Sequence, residues 1–186
     1  MMADSRNMPA PPVTPLPVEA LTAEAFAPFG WMLGKPFPGK VDAAAYASAG
    51  SDFWHEHAFN PGTGGEHEIL WVKYRVSTPS IDRLETHHLT EQAVIPLVGN
   101  IIQIVAVSDG NGAPDLATLR AFSILPGNGI CMRPGIWHAT RTDGQETTCM
   151  MLTRGSTTAD LVDHLTRGVP ATESRLHDIN RFQLDR

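Results

Sequence analysis

Two stretches of this sequence decide its fold: residues 85–99 read ETHHLTEQAVIPLVG, and residues 127–142 read GNGICMRPGIWHATRT. Around them, short runs rich in β-branched and aromatic residues alternate with turns of Gly, Pro and Asn, as in ILWVKYRV at 69–76 and IIQIVAV at 101–107. The 16 Gly and 15 Pro residues indicate frequent turns and many short strands rather than long helices. The pattern predicts a mainly β domain, built as a barrel or a double-sheet jelly roll.

Two helices are expected on either side of this strand-rich region. Residues 21–29 favour a short N-terminal helix that is capped by Thr22. A C-terminal helix is predicted to begin at the capping box formed by Thr157 and Asp160 and to end at Gly168.

The two ends of the chain differ in composition from its middle. Residues 1–18 are rich in proline and predict a disordered or polyproline arm. Residues 169–186 form a polar tail, which is expected either to dock on a neighbour or to stay loose. Because no repeat or linker separates further units, residues 19–168 are assigned to one barrel domain.

Charge and hydropathy exclude several classes of partner. The net charge is −6 and no basic stretch occurs, which argues against binding to nucleic acid or to an anionic membrane. No apolar run approaches the ~20 residues of a membrane span, and no apolar core of a signal peptide follows the N-terminus. The two cysteines, Cys131 and Cys149, are expected to be buried, reduced thiols in a cytoplasmic protein.

Four polar side chains in the two stretches are spaced to meet inside the predicted barrel. Alternate residues of a strand share a face, so Glu85 and His87 lie on one side of the same strand. Gln92 begins the next strand and can return to that side, and the turn at 134–135 aims His138 inward from an adjacent strand. A lone inward His is more often a hydrogen-bonded core residue than a ligand, and a Gln at a strand start often bonds to backbone. Two His and one carboxylate on facing strands favour a metal or substrate site.

These spacings resemble the two sequence motifs of the cupins. Relative to those motifs, Glu85 replaces the first His, Gln92 replaces the Glu, and Arg133 replaces the Pro of the second motif. The resemblance implies a cupin-type double-sheet β-barrel and a metal site at the positions of the usual three His and one Glu, which are here Glu85, His87, Gln92 and His138. A divalent metal is the implied cofactor, with Ni, Mn, Zn and Fe as the candidates.

Four segments carry a narrower resemblance that covers most of the chain. They are LTAEAFAPFG at 21–30, LETHHLTEQAVIPL at 84–97, PDLATLRAF at 114–122 and PGNGICMRPGIWH at 126–138. Together they are similar to the ureidoglycolate lyase family, which is itself cupin-like. The segment at 114–122 is the most specific of the four.

The resemblance implies a carbon–nitrogen lyase that cleaves ureidoglycolate, a small carboxylic acid, to glyoxylate and urea in purine and allantoin catabolism, and that works as a homodimer. This cleavage requires a base for the substrate hydroxyl, an acid for the leaving nitrogen and an anchor for the carboxylate. We expect His87 and Glu85 to act as base or metal ligands, and His138 to act as ligand or acid. Lys73 or Arg133 is expected to hold the carboxylate; the alternatives are an exposed strand residue for Lys73 and a rim salt bridge for Arg133.

Further residues are expected around the substrate. Gln92 and Tyr74 belong to the predicted substrate-binding set because both can face the barrel interior. Trp54 belongs to the cluster WHEH at 54–57, which precedes the barrel and is suited to a lid over its mouth. The alternative for this cluster is a solvated loop with one Trp packed inward.

Two other functions are compatible with the same residues. One is a metal-dependent cupin oxygenase or isomerase that acts on another small organic acid, and the other is a non-catalytic cupin that binds a small molecule. Departures from the family's usual pattern give both weight: Thr86 stands where the family has Arg, Met132-Arg133 where it has Tyr-His, and Ala139 where it has a second His. Oxygen consumption with bound Fe would favour the oxygenase, and release of urea would favour the lyase.

Overall fold

The structure is a computed structural model that describes residues 13–39 and 44–186. Most of the predicted proline-rich arm, residues 1–12, lies outside the described residues. The described residues form thirteen strands, two α-helices and one 3₁₀ turn. In chain order these are β1 (Thr14–Ala20), α1 (Ala23–Phe26), β2 (Gly30–Leu33), β3 (Ala45–Ala47), β4 (Asp52–Trp54), β5 (His67–Tyr74), β6 (Ser80–His87), β7 (Gln92–Val98), β8 (Ile101–Ala106), a 3₁₀ turn (Leu116–Thr118), β9 (Arg120–Ile124), β10 (Gly129–Met132), β11 (Trp137–Thr142), β12 (Thr147–Arg154), α2 (Gly155–Arg167) and β13 (Ser174–Asp185).

Two sheets make up the body of the fold. Six strands close into a barrel in the order β1-β13-β6-β11-β8-β9, and β9 pairs back onto β1. Five more strands form a second sheet in the order β2-β10-β7-β12-β5, and β3 pairs with β4 in a small separate hairpin. The predicted cupin-type double-sheet barrel with a short N-terminal helix and a C-terminal helix is confirmed.

Strand β8 is buried on both faces, which explains the unbroken apolar run in the sequence. Ile102 and Ile104 pack inside the closed six-stranded barrel, where Trp137 is also buried. Ile101 and Val105 point the other way and pack in the core between the two sheets. Strand β8 therefore contributes to two apolar cores, and β9 does the same through Ala121 and Phe122.

The arm and the tail differ from expectation, because parts of both are barrel strands. Strand β1 pairs in parallel with β13 and β9, and Leu16, which lies between two prolines, is buried in the barrel core. Strand β13 pairs with β6 along most of its length. A register shift between Asp178 and Phe182 resets the alternation of its side chains, so Leu176, Ile179 and Phe182 recur at every third residue although they lie on a strand. Strands β1 and β13 therefore complete the barrel, and Leu16 and Leu184 are buried in its core. Local sequence patterns did not identify either segment as a strand.

The helix ends match the prediction in part. Thr22 caps α1 as expected, since its hydroxyl accepts a hydrogen bond from the Ala25 backbone N–H at 3.1 Å. Gly168 ends α2 in the left-handed conformation, with φ of 67°. The predicted capping box is wrong, because α2 begins at Gly155 and the Asp160 carboxylate instead accepts backbone hydrogen bonds from the segment after the helix. Among the described residues, no helix is long and apolar enough to span a membrane.

Candidate active site

Three side chains with metal-ligand chemistry converge where β6 meets β11. Glu85 and His87 lie on one face of β6, and His138 lies on β11 in register with Glu85. One nitrogen or oxygen atom from each of the three lies within 4.8 Å of the other two. The two imidazole rings are 5.1 Å apart between centroids. The pairing of two strands therefore brings together three of the four residues that the spacing of the sequence singled out.

Glu85 and His87 form part of the wall of a cavity of about 360 Å³, and His138 lies next to both of them on β11. Gln92 and Tyr74 reach the same cavity from the five-stranded sheet, so the site lies between the two sheets. Helix α2 covers one side with apolar side chains. The complete lining consists of Leu70, Val72, Tyr74, Glu85, His87, Gln92, Met151, Thr153, Thr157, Thr158, Leu161, Val162 and Leu165.

Hydrogen bonds fix the orientation of both histidines. His138 Nδ1 lies 3.1 Å from the Ile136 carbonyl oxygen, which can only accept, so Nδ1 carries the proton. The other nitrogen, Nε2, is buried, has no hydrogen-bond partner among the described residues and lies 3.4 Å from Glu85 Oε1. His87 Nδ1 is 2.9 Å from the Ser174 hydroxyl, which leaves Nε2 as the ring nitrogen available for a ligand. Each imidazole is therefore held through its own Nδ1 atom.

The protonation states follow from burial and from the neighbouring charges. Burial, reinforced by His138, lowers the pKa of His87 to about 4, so this ring is neutral at pH 7. Burial acts to raise the pKa of Glu85, but the adjacent His138 and His87 outweigh it and the pKa of this carboxyl is lowered. Burial raises the pKa of Tyr74, which keeps its hydroxyl protonated. The site thus combines neutral His87, an ionised carboxylate and a phenol.

The donor set fits a divalent metal. Two imidazoles and one carboxylate are an accepted set for open catalytic sites in proteins. The buried and unpartnered Nε2 of His138 is the kind of atom that a metal would satisfy. The amide of Gln92, which lines the same cavity, offers an oxygen as a weaker fourth donor.

Comparison with known proteins assigns the chain to a family. The family model of ureidoglycolate lyase matches residues 13–170. The chain belongs to the ureidoglycolate lyase family. Ureidoglycolate lyase 2 of Rhizobium meliloti strain 1021 is 28% identical over 160 residues, which cover 81% of this chain and 92% of that protein. The ureidoglycolate lyase of Rhodobacter capsulatus is 32% identical over 126 residues, which cover 66% of this chain and 75% of that protein. Among solved structures, dTDP-4-dehydrorhamnose 3,5-epimerase from Elizabethkingia anophelis NUHP1 matches 67% of this chain and 73% of its own with a TM-score of 0.39 and 11% identity.

The departures from the usual ureidoglycolate lyase pattern lie mostly outside the cavity wall. Thr86 is fully buried but alternates with Glu85 and His87, so it faces away from the cavity. Ala139 follows His138 and packs on the core of the six-stranded barrel. Both departures therefore lie on strand faces that point away from Glu85, His87 and His138.

Three of the predicted site residues are not brought to the cavity. Lys73 lies on the exposed face of β5 and pairs with Glu146 at 3.2 Å, because it alternates with the inward Tyr74. The Arg133 guanidinium lies 4.4 Å from the centre of the Trp31 ring and donates to the Ala27 carbonyl oxygen. Trp54 belongs to the β3–β4 hairpin, where its indole N–H donates to Glu56 at 2.7 Å. The expected convergence of Lys73, Arg133 and Trp54 on the barrel interior therefore does not occur.

Two features of the site were missed by sequence reasoning. Ser174, which holds His87, lies in the segment predicted as a tail and carried no signal in the sequence. Behind Tyr74, a polar chain runs through the half-buried Thr140, whose hydroxyl donates to Gln103 Oε1 at 2.9 Å. Gln103 was detectable, because it is the one polar residue in the apolar strand β8.

Proposed function

We propose that this protein is a carbon–nitrogen lyase that cleaves ureidoglycolate to glyoxylate and urea, as a step of purine and allantoin catabolism. One observation carries the proposal: in a chain of the ureidoglycolate lyase family, Glu85, His87 and His138 converge, and Glu85 and His87 line a cavity. Family membership favours this activity over the oxygenase, isomerase and binding-protein alternatives.

The reaction needs one proton to move and one bond to break. The substrate carbon carries a hydroxyl, a carboxylate and a urea nitrogen. Loss of the hydroxyl proton lets the oxygen form a carbonyl while the carbon–nitrogen bond breaks, and its electron pair goes to the nitrogen. The nitrogen then takes up a proton and leaves as urea, so atoms and charge balance.

The charge distribution of the cavity supports a role for a metal. Among the described residues that line it, none is Lys or Arg, so no side chain there offers a cation for the substrate carboxylate. The available bases, Glu85 and His87, are weak because their pKa values are lowered. A divalent metal held by Glu85, His87 and His138 would supply both missing functions, a positive charge for the carboxylate and a more acidic hydroxyl.

The remaining groups of the chain bind the substrate and handle the proton. The Glu85 carboxylate takes the hydroxyl proton and returns it to the leaving nitrogen. The Tyr74 hydroxyl and the Gln92 amide, both at the cavity wall, bind the urea group. Leu161 and Leu165 of α2 cover the cavity and limit the access of water.

The test is an assay of urea and glyoxylate from racemic ureidoglycolate. The protein is assayed as purified, after treatment with a chelator, and after addition of Ni, Mn, Zn or Fe, with substrate alone as the control for spontaneous decay. We expect equal amounts of urea and glyoxylate, loss of activity with the chelator and recovery with at least one metal. Absence of urea under every condition would refute the proposal, and oxygen uptake would favour an oxygenase.

We also propose that the protein works as a homodimer in the cytoplasm. Strand β5 is an edge of the five-stranded sheet, and Ile69 and Trp71 on its outer face are 64% and 66% exposed. An apolar pair on an edge strand is suited to a second copy of the chain. Cys131 and Cys149 are free thiols, as is usual in a reducing compartment. Light scattering should give a dimer for the native protein and a monomer for Trp71→Glu; a native monomer would refute the dimer.

A further inference from the structure

A second group of metal-ligating side chains lies on the other face of the five-stranded sheet. Glu91 immediately precedes β7, Cys131 lies in β10, and His57 comes from the loop that crosses in front of them. One ligand atom from each lies within 4.8 Å of the other two. His57 Nε2 is 2.9 Å from Glu91 Oε2, and Cys131 Sγ is 3.7 Å from the same oxygen. The cluster differs from the active site in having a thiol.

The three side chains are held in place before any ion arrives. Cys131 and Glu91 are buried, with 1% and 7% exposure, and the Glu91 carboxylate also accepts a hydrogen bond from the Asn60 backbone N–H at 2.8 Å. The His57 ring stacks on Trp31, with 4.0 Å between the ring centroids. Ligands fixed by such outer contacts lose little freedom on binding a metal.

A small cavity gives access to the cluster. It has a volume of about 220 Å³, and His57 and Cys131 form part of its wall. Glu56 lines the same cavity, and its Oε2 accepts no hydrogen bond from any described residue, although Lys35 lies 3.4 Å away. An ion held by the three side chains could therefore take a water molecule from this cavity as its fourth ligand.

We propose that His57, Glu91 and Cys131 form a zinc site that is separate from the active site. Thiolate, imidazole and carboxylate together are a zinc-type donor set, and three protein ligands with one open position match tetrahedral coordination. Binding displaces the thiol proton to solvent and replaces the two contacts to Glu91 by bonds to the ion. The ion would link the loop that contains His57 to strands β7 and β10. Zinc binding therefore stabilises the folded protein in this region.

Zinc and cobalt binding test the proposal in a background that lacks the first site. In the His87→Ala/His138→Ala double variant, we expect about one zinc ion per chain after equilibration with zinc and removal of free ion. Cobalt in the same protein should give a thiolate-to-cobalt charge-transfer absorption. Adding Cys131→Ser should abolish that absorption and the zinc-induced rise in melting temperature.

Matched variants keep the result interpretable. Cys149→Ser removes the other buried thiol, which lies in the core between the sheets, and should leave the cobalt absorption unchanged. If Cys131→Ser folds poorly, His57→Ala takes its place in the test. It alters a loop residue and should lower zinc affinity without unfolding the protein. The proposal would be overturned if the double variant bound no zinc. It would also be overturned if substitution of His57 and Cys131 left zinc binding unchanged.

Discussion

His138 and Glu85 are the register pair that joins β11 to β6, and His138 Nε2 lies 3.4 Å from Glu85 Oε1. Because His87 follows on the same face of β6, this one strand pairing assembles all three candidate ligands. The site is therefore built on the sheet itself rather than on mobile loops, and its geometry depends on the register of the barrel.

Removal of the Glu85 charge should impair the site without disturbing the fold. Glu85→Gln keeps the size of the side chain but removes the anionic oxygen that serves as ligand and base. We expect urea release to fall about 10²–10⁴-fold, together with weaker metal binding in a titration. Glu146→Gln, which changes an exposed carboxylate paired with Lys73, is the control and should retain normal activity. Equal activity of the two variants would contradict the assignment of Glu85.

Protein stability should decrease as the pH falls from about 6.5 to about 4, because the pKa of His87 is lowered to about 4 in the folded state. Between these values the unfolded chain binds a proton that the folded protein does not, so protonation favours unfolding. This is measured by guanidinium unfolding of the metal-free proteins. Over this pH range, the free energy of unfolding should fall less in His87→Gln than in the native protein, by on the order of 2–3 kcal/mol. The lowered pKa of His88 is present in both proteins. Parallel curves would contradict the buried, neutral state of His87.

Ser174 should act as a positioning residue for His87, since its hydroxyl lies 2.9 Å from His87 Nδ1. Ser174→Ala should weaken metal binding or lower kcat about 10–100-fold, with a smaller change in KM, because the ring loses its fixed orientation. Ser174→Thr keeps the hydroxyl and should restore most of the loss. If Ser174→Ala binds metal and turns over like the native protein, the hydrogen bond has no functional role.

Lys73 and Arg133 should contribute little to turnover, because neither reaches the cavity. Lys73→Ala breaks only an exposed ion pair with Glu146, so kcat/KM should stay within about twofold of the native value. Arg133→Ala removes the contact with Trp31 and should cost about 0.5–1 kcal/mol in the free energy of unfolding, with a similarly small effect on kcat/KM. A large loss of kcat/KM for Lys73→Ala would mean that the side chain moves into the cavity on substrate binding.

The convergence of the candidate ligands was predictable because it follows from local rules. Alternation along one strand places Glu85 and His87 on the same face, and the motif spacing places His138 on a neighbouring strand. The same alternation places Lys73 on the face opposite Tyr74, so its outward position was also available from the sequence.

The closure of the barrel could not be predicted in this way. It depends on pairing between β1 and β13, which lie at opposite ends of the chain, and such pairing leaves no local pattern. Prolines in β1 and a register shift in β13 further obscured the alternation of buried residues. Ser174 was missed for the same reason, since its contact with His87 exists only once β13 is in place.

The most direct test of a shared reactive centre is the rate of urea release by His87→Ala and His138→Ala, measured singly beside the native protein at saturating metal. We expect each variant to lose turnover by about 10²-fold or more while its circular dichroism spectrum stays native. Near-native urea release by either folded variant would contradict the claim that these two histidines and Glu85 act at one site.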